Sequence, residues 1–341
     1  MLKPYIAKVI NGQDLSATEA KEAMDIIMTG QATQAQIGGY LVALRMKGET
    51  VEEITGSART MREQVACVPV TLDDGQPLLD TAGTGGDGSH SFNISTAAAF
   101  VIAGAGRKVA KHGNRAASSR CGSADVLMAL GVSMDLTPEQ VGQCIDEVGI
   151  GFMFAPKFHP AMKHAIGPRR ELGQRSIFNV LGPLTNPAGA THQLIGVYDP
   201  ALTEPLAKVL GELGSVGAFV IHGHGGMDEL TTGGPNQVSH LKDGSVSTYE
   251  LNAADYGLRA ACDEDMSGAD PEDNAKKMRA LLSGEDKSPC RDVVLLNTAA
   301  ALSLTTDSFG TALDEATQSL ESGAALEKLD ALVAMSQRLV A

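Results

Sequence analysis

Three runs of apolar residues near the start of the chain repeat at helical spacing. Each run follows a Ser or Thr with a Glu or Gln three positions later, which is the signature of a capping box. The three pairs are Ser16 and Glu19, Thr33 and Gln36, and Thr50 and Glu53. In the first run the apolar residues recur at i, i+3, i+4 and i+7. Because the connections are short and polar, the first 65 residues are predicted to form a compact unit of three helices.

After residue 69 the pattern changes to short apolar runs that alternate with helix-like segments. The strand-like segments are 77–80, 108–110, 193–198 and 218–222. A helix is predicted from about Ser95, and another follows the cap formed by Thr137, Pro138 and Gln140. Such alternation is typical of a mostly parallel sheet that is covered by helices on both faces.

The chain has 341 residues, which exceeds the usual size of a single core, so two packed units are expected. The segment from about 159 to 189 is rich in Gly, Pro and Arg and interrupts the alternation. We therefore predict a helical domain of residues 1–70, joined by about 159–189, and an α/β domain of residues 71–158 and 190–341. A ligand cleft is expected between them.

The formal net charge of −14 limits the kinds of partner. Long-range repulsion disfavours general binding to nucleic acid or to an anionic membrane, so a phosphate ligand needs a local basic or backbone pocket. The five cysteines are scattered, odd in number and without a CxxC pair, which indicates reduced thiols in a cytoplasmic protein. No signal-peptide pattern starts the chain, and the apolar stretch 97–106 is too short to span a bilayer.

A glycine-rich loop, Gly83-Thr84-Gly85-Gly86-Asp87, follows the first predicted strand. Such a loop can aim backbone N–H groups at an anion, and a plain turn between strand and helix is the alternative. The spacing matches neither GxGxxG nor a Walker loop, which disfavours a dinucleotide or simple nucleotide-triphosphate site. The following residues 93–96 either cap the helix or also meet phosphate or a cation.

Two basic groups and one acidic pair are further candidates. Residues 111–115 with Ser118, Ser119 and Arg120 form a basic segment after a strand, where α/β proteins place ligands, or else a solvated loop. Arg169, Arg170 and Arg175 are surface or interdomain arginines, or one of them orients an acidic substrate. Asp228-Glu229 follows a strand and suits Mg²⁺, unless it is an exposed acidic pair. His222 and His224 lack a third ligand at the spacing of a zinc site.

Five motifs in order then resemble one family. They are GTGGD (83–87), NIST (93–96), KHGNRAASSRCGSAD (111–125), RRELGQRSIFNVLGPLTNPAG (169–189) and MDEL (227–230). Together they resemble the anthranilate phosphoribosyltransferases, and the likeness covers essentially the whole chain. Arg120 stands where members often have Lys, which keeps the charge. The resemblance implies an α/β fold of the nucleoside phosphorylase/phosphoribosyltransferase type with a small N-terminal helical domain, and a homodimer built through the helical domains.

The resemblance also implies the activity, which is transfer of phosphoribose from 5-phosphoribosyl 1-diphosphate (PRPP) to anthranilate with Mg²⁺ as cofactor, in tryptophan biosynthesis. The residues implied to line the donor are Gly83, Gly86, Asp87, Ser91, Asn93, Ile94, Ser95, Thr96, Lys111, His112, Gly113, Asn114, Arg115, Ala116, Ala117, Ser118, Ser119 and Ser123. Those implied to hold Mg²⁺ are Ser95, Asp228 and Glu229. Those implied to contact anthranilate are Gly83, Asn114 and Arg169, and the catalytic residues would be Lys111, Asn114 and Arg169.

Displacement of diphosphate from the ribose is expected to pass through an oxocarbenium-like state. The main requirement is then to neutralise the leaving diphosphate, by Mg²⁺, loop N–H groups and Lys111. His112 either relays the released proton or is a structural hydrogen-bonding residue. The alternatives are a pyrimidine nucleoside phosphorylase, disfavoured by the intact GTGGD and KHGNR motifs, and a non-catalytic nucleic-acid-binding relative, disfavoured by the negative charge.

Overall fold

The computed structural model describes residues 1–116 and 120–341. Within those residues the chain forms 16 α-helices and seven β-strands. The helices are α1 (Lys3–Ile10), α2 (Ala17–Met28), α3 (Gln34–Lys47), α4 (Val51–Glu63), α5 (Ile94–Gly104), α6 (Ser123–Ala129), α7 (Pro138–Val148), α8 (Ala155–Phe158), α9 (Lys163–Leu172), α10 (Phe178–Leu181), α11 (Thr203–Glu212), α12 (Asp263–Met266), α13 (Pro271–Leu282), α14 (Pro289–Ser303), α15 (Phe309–Glu321) and α16 (Ala324–Val340). The strands are β1 (Leu78–Gly83), β2 (Lys108–Gly113), β3 (Ile150–Phe154), β4 (His192–Gly196), β5 (Gly217–His222), β6 (Asn236–Lys242) and β7 (Ser245–Leu251).

The capping signals of the first three predicted helices are confirmed. Helices α2, α3 and α4 each begin with a complete capping box, in which the side chains of the cap and of the third helical residue bond reciprocally to backbone N–H groups. The prediction of three helices in this region was nevertheless wrong, because α1 precedes them. Val9 is the one buried residue of α1, so the apolar pattern of this segment is too weak to predict a helix.

The seven strands form one sheet in the order β3-β2-β1-β4-β5-β6-β7. Strands β1 to β5 pair in parallel, which confirms the mostly parallel sheet, while β6 and β7 add an antiparallel edge that the sequence pattern did not predict. The chain moves outward from β1 in both directions, through β2 on one side and β4 on the other. In such sheets ligands bind outside the carboxyl ends of the strands, where the order reverses.

The two faces of the sheet contribute to two apolar clusters. In β5, Phe219 and Ile221 belong to the cluster that includes α5 and α14, because successive side chains of a strand point to opposite faces. Ala218 and Val220 belong instead to the cluster formed by the N-terminal helices and α11. The core of the helical unit is thus continuous with one face of the sheet.

The segment between β3 and β4 packs against the N-terminal helices. Helix α9 contacts α2 and α3, and Ala165 and Phe178 are buried in the same cluster as those helices. This packing supports the predicted association of residues 159–189 with the helical unit, whose exact boundaries stay a prediction. Across residues 1–116 and 120–341, no helix combines the length and the apolar character needed to cross a membrane.

Candidate active site

The predicted glycine loop begins where the order of the sheet reverses. Strand β1 ends at Gly83, which lies opposite Gly196, the last residue of the neighbouring β4. The Thr84 N–H then donates to the Gly196 carbonyl at 2.9 Å, and the Thr84 hydroxyl accepts from the Tyr198 N–H at 3.2 Å. The loop is therefore attached to the end of β4, at the position where ligands bind in open α/β sheets.

The loop uses its glycines for backbone conformation. Gly85, Gly86 and Gly88 have φ values of 66°, 76° and 79°, a left-handed region that residues with a Cβ rarely enter. The Gly85 N–H donates to Asp228 Oδ2 at 2.7 Å. This amide already faces a negatively charged oxygen, as expected for a loop that binds anions.

The acidic pair Asp228-Glu229 reaches the loop because three glycines leave room for it. A Cβ on Gly83 would lie 2.4 Å from Asp228 Oδ2, and one on Gly196 would lie 1.5 Å from the Asp228 carbonyl oxygen. A Cβ on Gly223 would lie 1.9 Å from the Glu229 carbonyl oxygen. These distances are far below van der Waals contact, so the acidic pair can occupy this position only beside residues without side chains.

The acidic pair is anchored to two elements. The Asp228 N–H donates to Asp87 Oδ2 at 3.3 Å, and Glu229 Oε1 accepts from the Ser95 N–H at 3.0 Å at the start of α5. A helix N-terminus favours a negative group at this position. Poor solvation, together with the nearby carboxylates, raises the pKa of both Asp228 and Glu229. The corner therefore brings three carboxyl groups, of Asp87, Asp228 and Glu229, together in a poorly solvated place.

Lys111 is a cation near Glu229 of this corner, but its side chain is buried. Its side chain is only 3% exposed, and its ammonium donates to the Thr81 carbonyl at 2.5 Å and approaches Ser95 Oγ at 3.5 Å. Burial lowers the pKa of the Lys111 ammonium, while the Asp80 and Glu229 carboxylates oppose that shift. Lys111 thus acts on the site through space, by its charge.

The residues of this corner fit a divalent cation. No group of three or more His, Cys, Asp or Glu side chains is arranged as a metal site in the described parts of the chain. Mg²⁺ does not require one, because it commonly binds through one or two carboxylates and completes its shell with waters and substrate phosphates. Asp228, Glu229 and the hydroxyl of Ser95 offer hard oxygen atoms of the kind that Mg²⁺ prefers, and Glu229 lies against Ser95 at the start of α5.

The segment KHGNR is divided between a strand and a loop, which corrects the prediction that it is a loop throughout. Lys111, His112 and Gly113 complete β2, and the side chains of Lys111 and His112 are buried. The His112 N–H donates to Asp80 Oδ1 at 3.2 Å, and its Nε2 lies 3.1 Å from Nε2 of His159. Burial, with His159 and Lys111 nearby, lowers the pKa of His112 to about 3. Such a weak base favours the structural alternative for His112 over a proton relay.

The exposed end of this segment is held by an aspartate that the sequence analysis did not single out. The Asp125 carboxylate accepts from the N–H groups of Ala116 and Gly122, both at 2.9 Å, and so joins the two sides of the loop. Ser123 Oγ donates to the Asn114 carbonyl at 3.2 Å. The signal was present, since Asp125 is the third residue of α6, the usual position of a capping carboxylate.

Not every predicted binding residue of this region is described or faces the cleft. Residues Ala117, Ser118 and Ser119 lie outside the described part of the chain. Ile94 and Thr96 are buried, so their side chains do not face the cleft. Asn93 precedes α5, and its side chain donates to the Cys121 carbonyl and accepts from the buried amide of Asn274, each at 3.1 Å.

Two family models cover most of the chain. The helical bundle domain of the glycosyl transferase family matches residues 3–65, and the α/β domain of the same family matches residues 75–326. The protein of Moorella thermoacetica named anthranilate phosphoribosyltransferase is 56% identical over 98% of both chains. The protein of that name from Symbiobacterium thermophilum is 54% identical over 99% of this chain and 98% of its own. The chain belongs to the anthranilate phosphoribosyltransferase family.

Solved structures of the family agree with the fold. The crystal structure of the Thermus thermophilus enzyme has a TM-score of 0.92 and 44% identity, over 97% of this chain and 99% of its own. The Saccharomyces cerevisiae enzyme in complex with PRPP and Mg has a TM-score of 0.90 and 30% identity, over 99% and 98%. A further structure of the yeast enzyme is in complex with 4-fluoroanthranilate. The resemblance drawn from five sequence motifs is thereby confirmed, as is the fold class.

The arginine that the family resemblance links to the acceptor packs against an aromatic ring of the same segment. Arg169 is partly buried on α9, and its guanidinium lies 5.1 Å from the centre of the Phe178 ring. Burial lowers the pKa of this guanidinium. Among the described residues its side chain forms no ion pair, so its N–H groups stay available to a carboxylate.

The segment 159–189, which carries Arg169, contacts strands β1 and β2 near both of its ends. His159 meets His112 on β2, and Asn186 Nδ2 donates to Asp80 Oδ2 and to the Ala110 carbonyl, both at 2.8 Å. Asp80, on β1, thus connects β1, β2 and this segment through a single buried carboxylate. Neither Asp80 nor Asn186 was recognised in the sequence, because only the three-dimensional arrangement brings them together.

Proposed function

We propose that the protein transfers the phosphoribosyl group of PRPP to the amine of anthranilate, giving N-(5-phosphoribosyl)anthranilate and diphosphate, in tryptophan biosynthesis. The observation that carries the proposal is the meeting of the glycine loop and the Asp228-Glu229 pair at the reversal point of the sheet. It occurs in a chain that matches enzymes of this name over nearly its full length.

The donor is proposed to bind between the glycine loop and the loop after β2. The residues assigned to it are Gly83, Gly86, Asp87, Ser91, 93–96, 111–119 and Ser123, of which Ile94, Thr96, Lys111 and His112 have buried side chains and would support the others. Asp228, Glu229 and Ser95 would hold Mg²⁺, which supplies positive charge to the leaving diphosphate. The loop amides and the buried Lys111 ammonium add further positive potential as the C1–O bond breaks.

The acceptor is proposed to lie beside Arg169, Asn114 and Gly83. The planar guanidinium of Arg169 matches a carboxylate in a bidentate geometry, which would orient anthranilate. The aromatic amine of anthranilate is neutral at pH 7, so attack requires orientation more than a strong base. The lowered pKa of His112 is consistent with this, because a group with a pKa of about 3 is a poor general base.

A homodimer and a cytoplasmic location complete the proposal. Ile10 of α1, Val42 and Met46 of α3, and Ile166 of α9 are exposed on helices that pack together, and Met46 is 84% exposed. Val42 and Met46 are four positions apart on α3 and so share one face of it, and exposed apolar residues on one face favour contact with a second copy of the chain. All five cysteines are free, as is usual for proteins of a reducing compartment.

The test is the release of diphosphate from PRPP by the purified protein, with and without anthranilate and Mg²⁺. We expect release to require all three components, and Arg169→Ala to raise the KM for anthranilate with a smaller effect on the KM for PRPP. Arg170→Ala is the matched control, because Arg170 is the exposed neighbour on the same helix. No release with anthranilate would refute the function, and an unchanged anthranilate KM in Arg169→Ala would refute the acceptor assignment.

A further inference from the structure

Arg175 lies between α9 and α10 and makes two contacts that tie this segment to the donor loop. Its guanidinium donates a hydrogen bond to the Gly86 carbonyl, and its carbon Cζ lies 4.0 Å from the centre of the Tyr198 ring. The Tyr198 N–H is in turn bonded to Thr84 at the other end of the loop. Tyr198 thus contacts Thr84 of the loop and also Arg175, and Arg175 contacts Gly86 of the same loop.

We propose that Arg175 is a positioning residue that fixes the glycine loop in its donor-binding conformation, with the Tyr198 ring as its support. This inference rests on the proposed function. The peptide between Gly86 and Asp87 is planar, so its C=O and N–H point in opposite directions. By holding the Gly86 carbonyl, Arg175 therefore also sets the direction of the Asp87 N–H, which points away from it.

The loop needs such support because its glycines allow many backbone conformations. Gly85, Gly86 and Gly88 have no side chains to pack, and glycine loses more conformational freedom on ordering than any other residue. A loop that is ordered before the ligand arrives saves that cost at binding, which increases affinity. Thr84 fixes one end of the loop to β4, and Arg175 fixes the other.

An arginine suits this position better than a lysine. Its planar guanidinium can stack on an aromatic ring and still donate from its edge, whereas an ammonium is a compact point charge. Among residues 1–116 and 120–341, Arg175 forms no ion pair that would draw it away from the loop. Its charge also lies beside a loop that contacts Asp228 and includes Asp87, so it opposes the repulsion between these carboxylates.

The experiment compares Arg175→Met, Arg175→Lys, Tyr198→Leu and the double variant Arg175→Met/Tyr198→Leu, with Arg170→Met as control. Steady-state kinetics give kcat and the KM for each substrate, and thermal unfolding gives Tm. We expect Arg175→Met and Tyr198→Leu each to raise the KM for PRPP roughly tenfold, as for the loss of a hydrogen bond with a charged donor or of its stacking support. The double variant should add little to either single one, because both remove the same interaction.

The KM for anthranilate and the Tm should change little, Arg175→Lys should recover part of the loss, and Arg170→Met should resemble the wild type. If Arg175→Met leaves the KM for PRPP within about twofold of an active wild type, or if its effect is matched by a general loss of Tm, the positioning role is wrong. A wild type that releases no diphosphate refutes the proposed function instead. Hydrogen exchange of the amides of residues 83–88 then still tests the contact, since faster exchange in Arg175→Met supports it and unchanged exchange refutes it.

Discussion

The substitution Gly196→Ala tests whether the close approach of Asp228 to β4 creates the acidic corner. Gly196 is buried at the end of β4, and its φ lies outside the left-handed region, so alanine introduces no backbone strain of its own. The new Cβ would lie 1.5 Å from the Asp228 carbonyl oxygen and 2.4 Å from the Asp228 carbonyl carbon. Both are backbone atoms, which cannot rotate away as the end of a side chain can.

The size of the effect follows from this distance. Carbon and oxygen atoms in contact lie about 3.5 Å apart, so the Asp228 backbone must retreat by roughly 2 Å. That movement breaks the bond from the Gly85 N–H to Asp228 Oδ2, now 2.7 Å long. Overpacking of this kind lowers the free energy of unfolding by about 1–3 kcal/mol. A shift of about 1 Å in a catalytic group can cost roughly 100-fold in rate, so activity should fall by at least that factor.

Three measurements decide the outcome, namely kcat, the Mg²⁺ concentration that gives half-maximal rate, and the free energy of unfolding from denaturant titration. We expect kcat to fall, the required Mg²⁺ concentration to rise, and stability to decrease by the stated amount. Gly310→Ala on α15 is the control, because Gly310 is exposed and, of the described residues, its Cβ would meet only Ser308 Oγ, at 3.9 Å. It should keep full activity and should not lose stability, because alanine is a better helix former than glycine. A Gly196→Ala protein with the Mg²⁺ dependence and rate of the wild type would refute the reasoning.

Two further predictions concern the buried histidines and the exposed helical surface. Burial lowers the pKa of His112 to about 3 and that of His159 to about 4, so each histidine binds its proton first in the unfolded chain, and its own contribution to stability falls as pH drops below about 6.5. The raised pKa values of Asp228 and Glu229 act in the opposite direction and are common to the wild type and a histidine variant. Between pH 7 and pH 5 the free energy of unfolding of His159→Gln should therefore rise by about 2 kcal/mol relative to that of the wild type; an unchanged difference between the two proteins would contradict the assignment. Met46→Glu should shift the molar mass measured by light scattering from that of a dimer to that of a monomer. Met128→Glu, at an exposed methionine of α6, is the control and should leave the molar mass unchanged. A Met46→Glu protein that stays a dimer would show that the interface lies elsewhere.

The elements that the sequence predicted well are those with local signals. The capping boxes of α2, α3, α4 and α7 depend on residues three positions apart, and the structure contains all four. The end of β2 was assigned to a loop because Lys111 and His112 are polar. They complete a buried strand because Thr81 and Asp80, on the neighbouring strand, accept their hydrogen bonds. A pattern of apolar residues does not reveal that buried polar groups have hydrogen-bond partners, since those partners are far apart in sequence.

The site shows the same division between local and distant information. The glycine loop and the acidic pair were visible as short motifs. Two of the contacts that support them were not, because Asn274 bonds to the distant side chain of Asn93, and Arg175, noted only as one of three arginines, bonds to the distant Gly86 carbonyl. The type of a residue does not indicate which distant group it will bond to. Support of this kind becomes visible only when the fold is known.

The charge distribution of the corner also bears on how an acidic protein binds a polyanionic donor. Asp87, Asp228 and Glu229 lie around the glycine loop, and the buried Lys111 compensates only part of their charge. A free diphosphate group would meet repulsion here, since charges in a poorly hydrated site interact strongly. A divalent cation reverses the sign of that interaction, because it is attracted by the carboxylates and by the phosphates alike. We therefore expect the donor and Mg²⁺ to bind with strong mutual dependence, with the glycine loop providing direction and the cation providing most of the affinity.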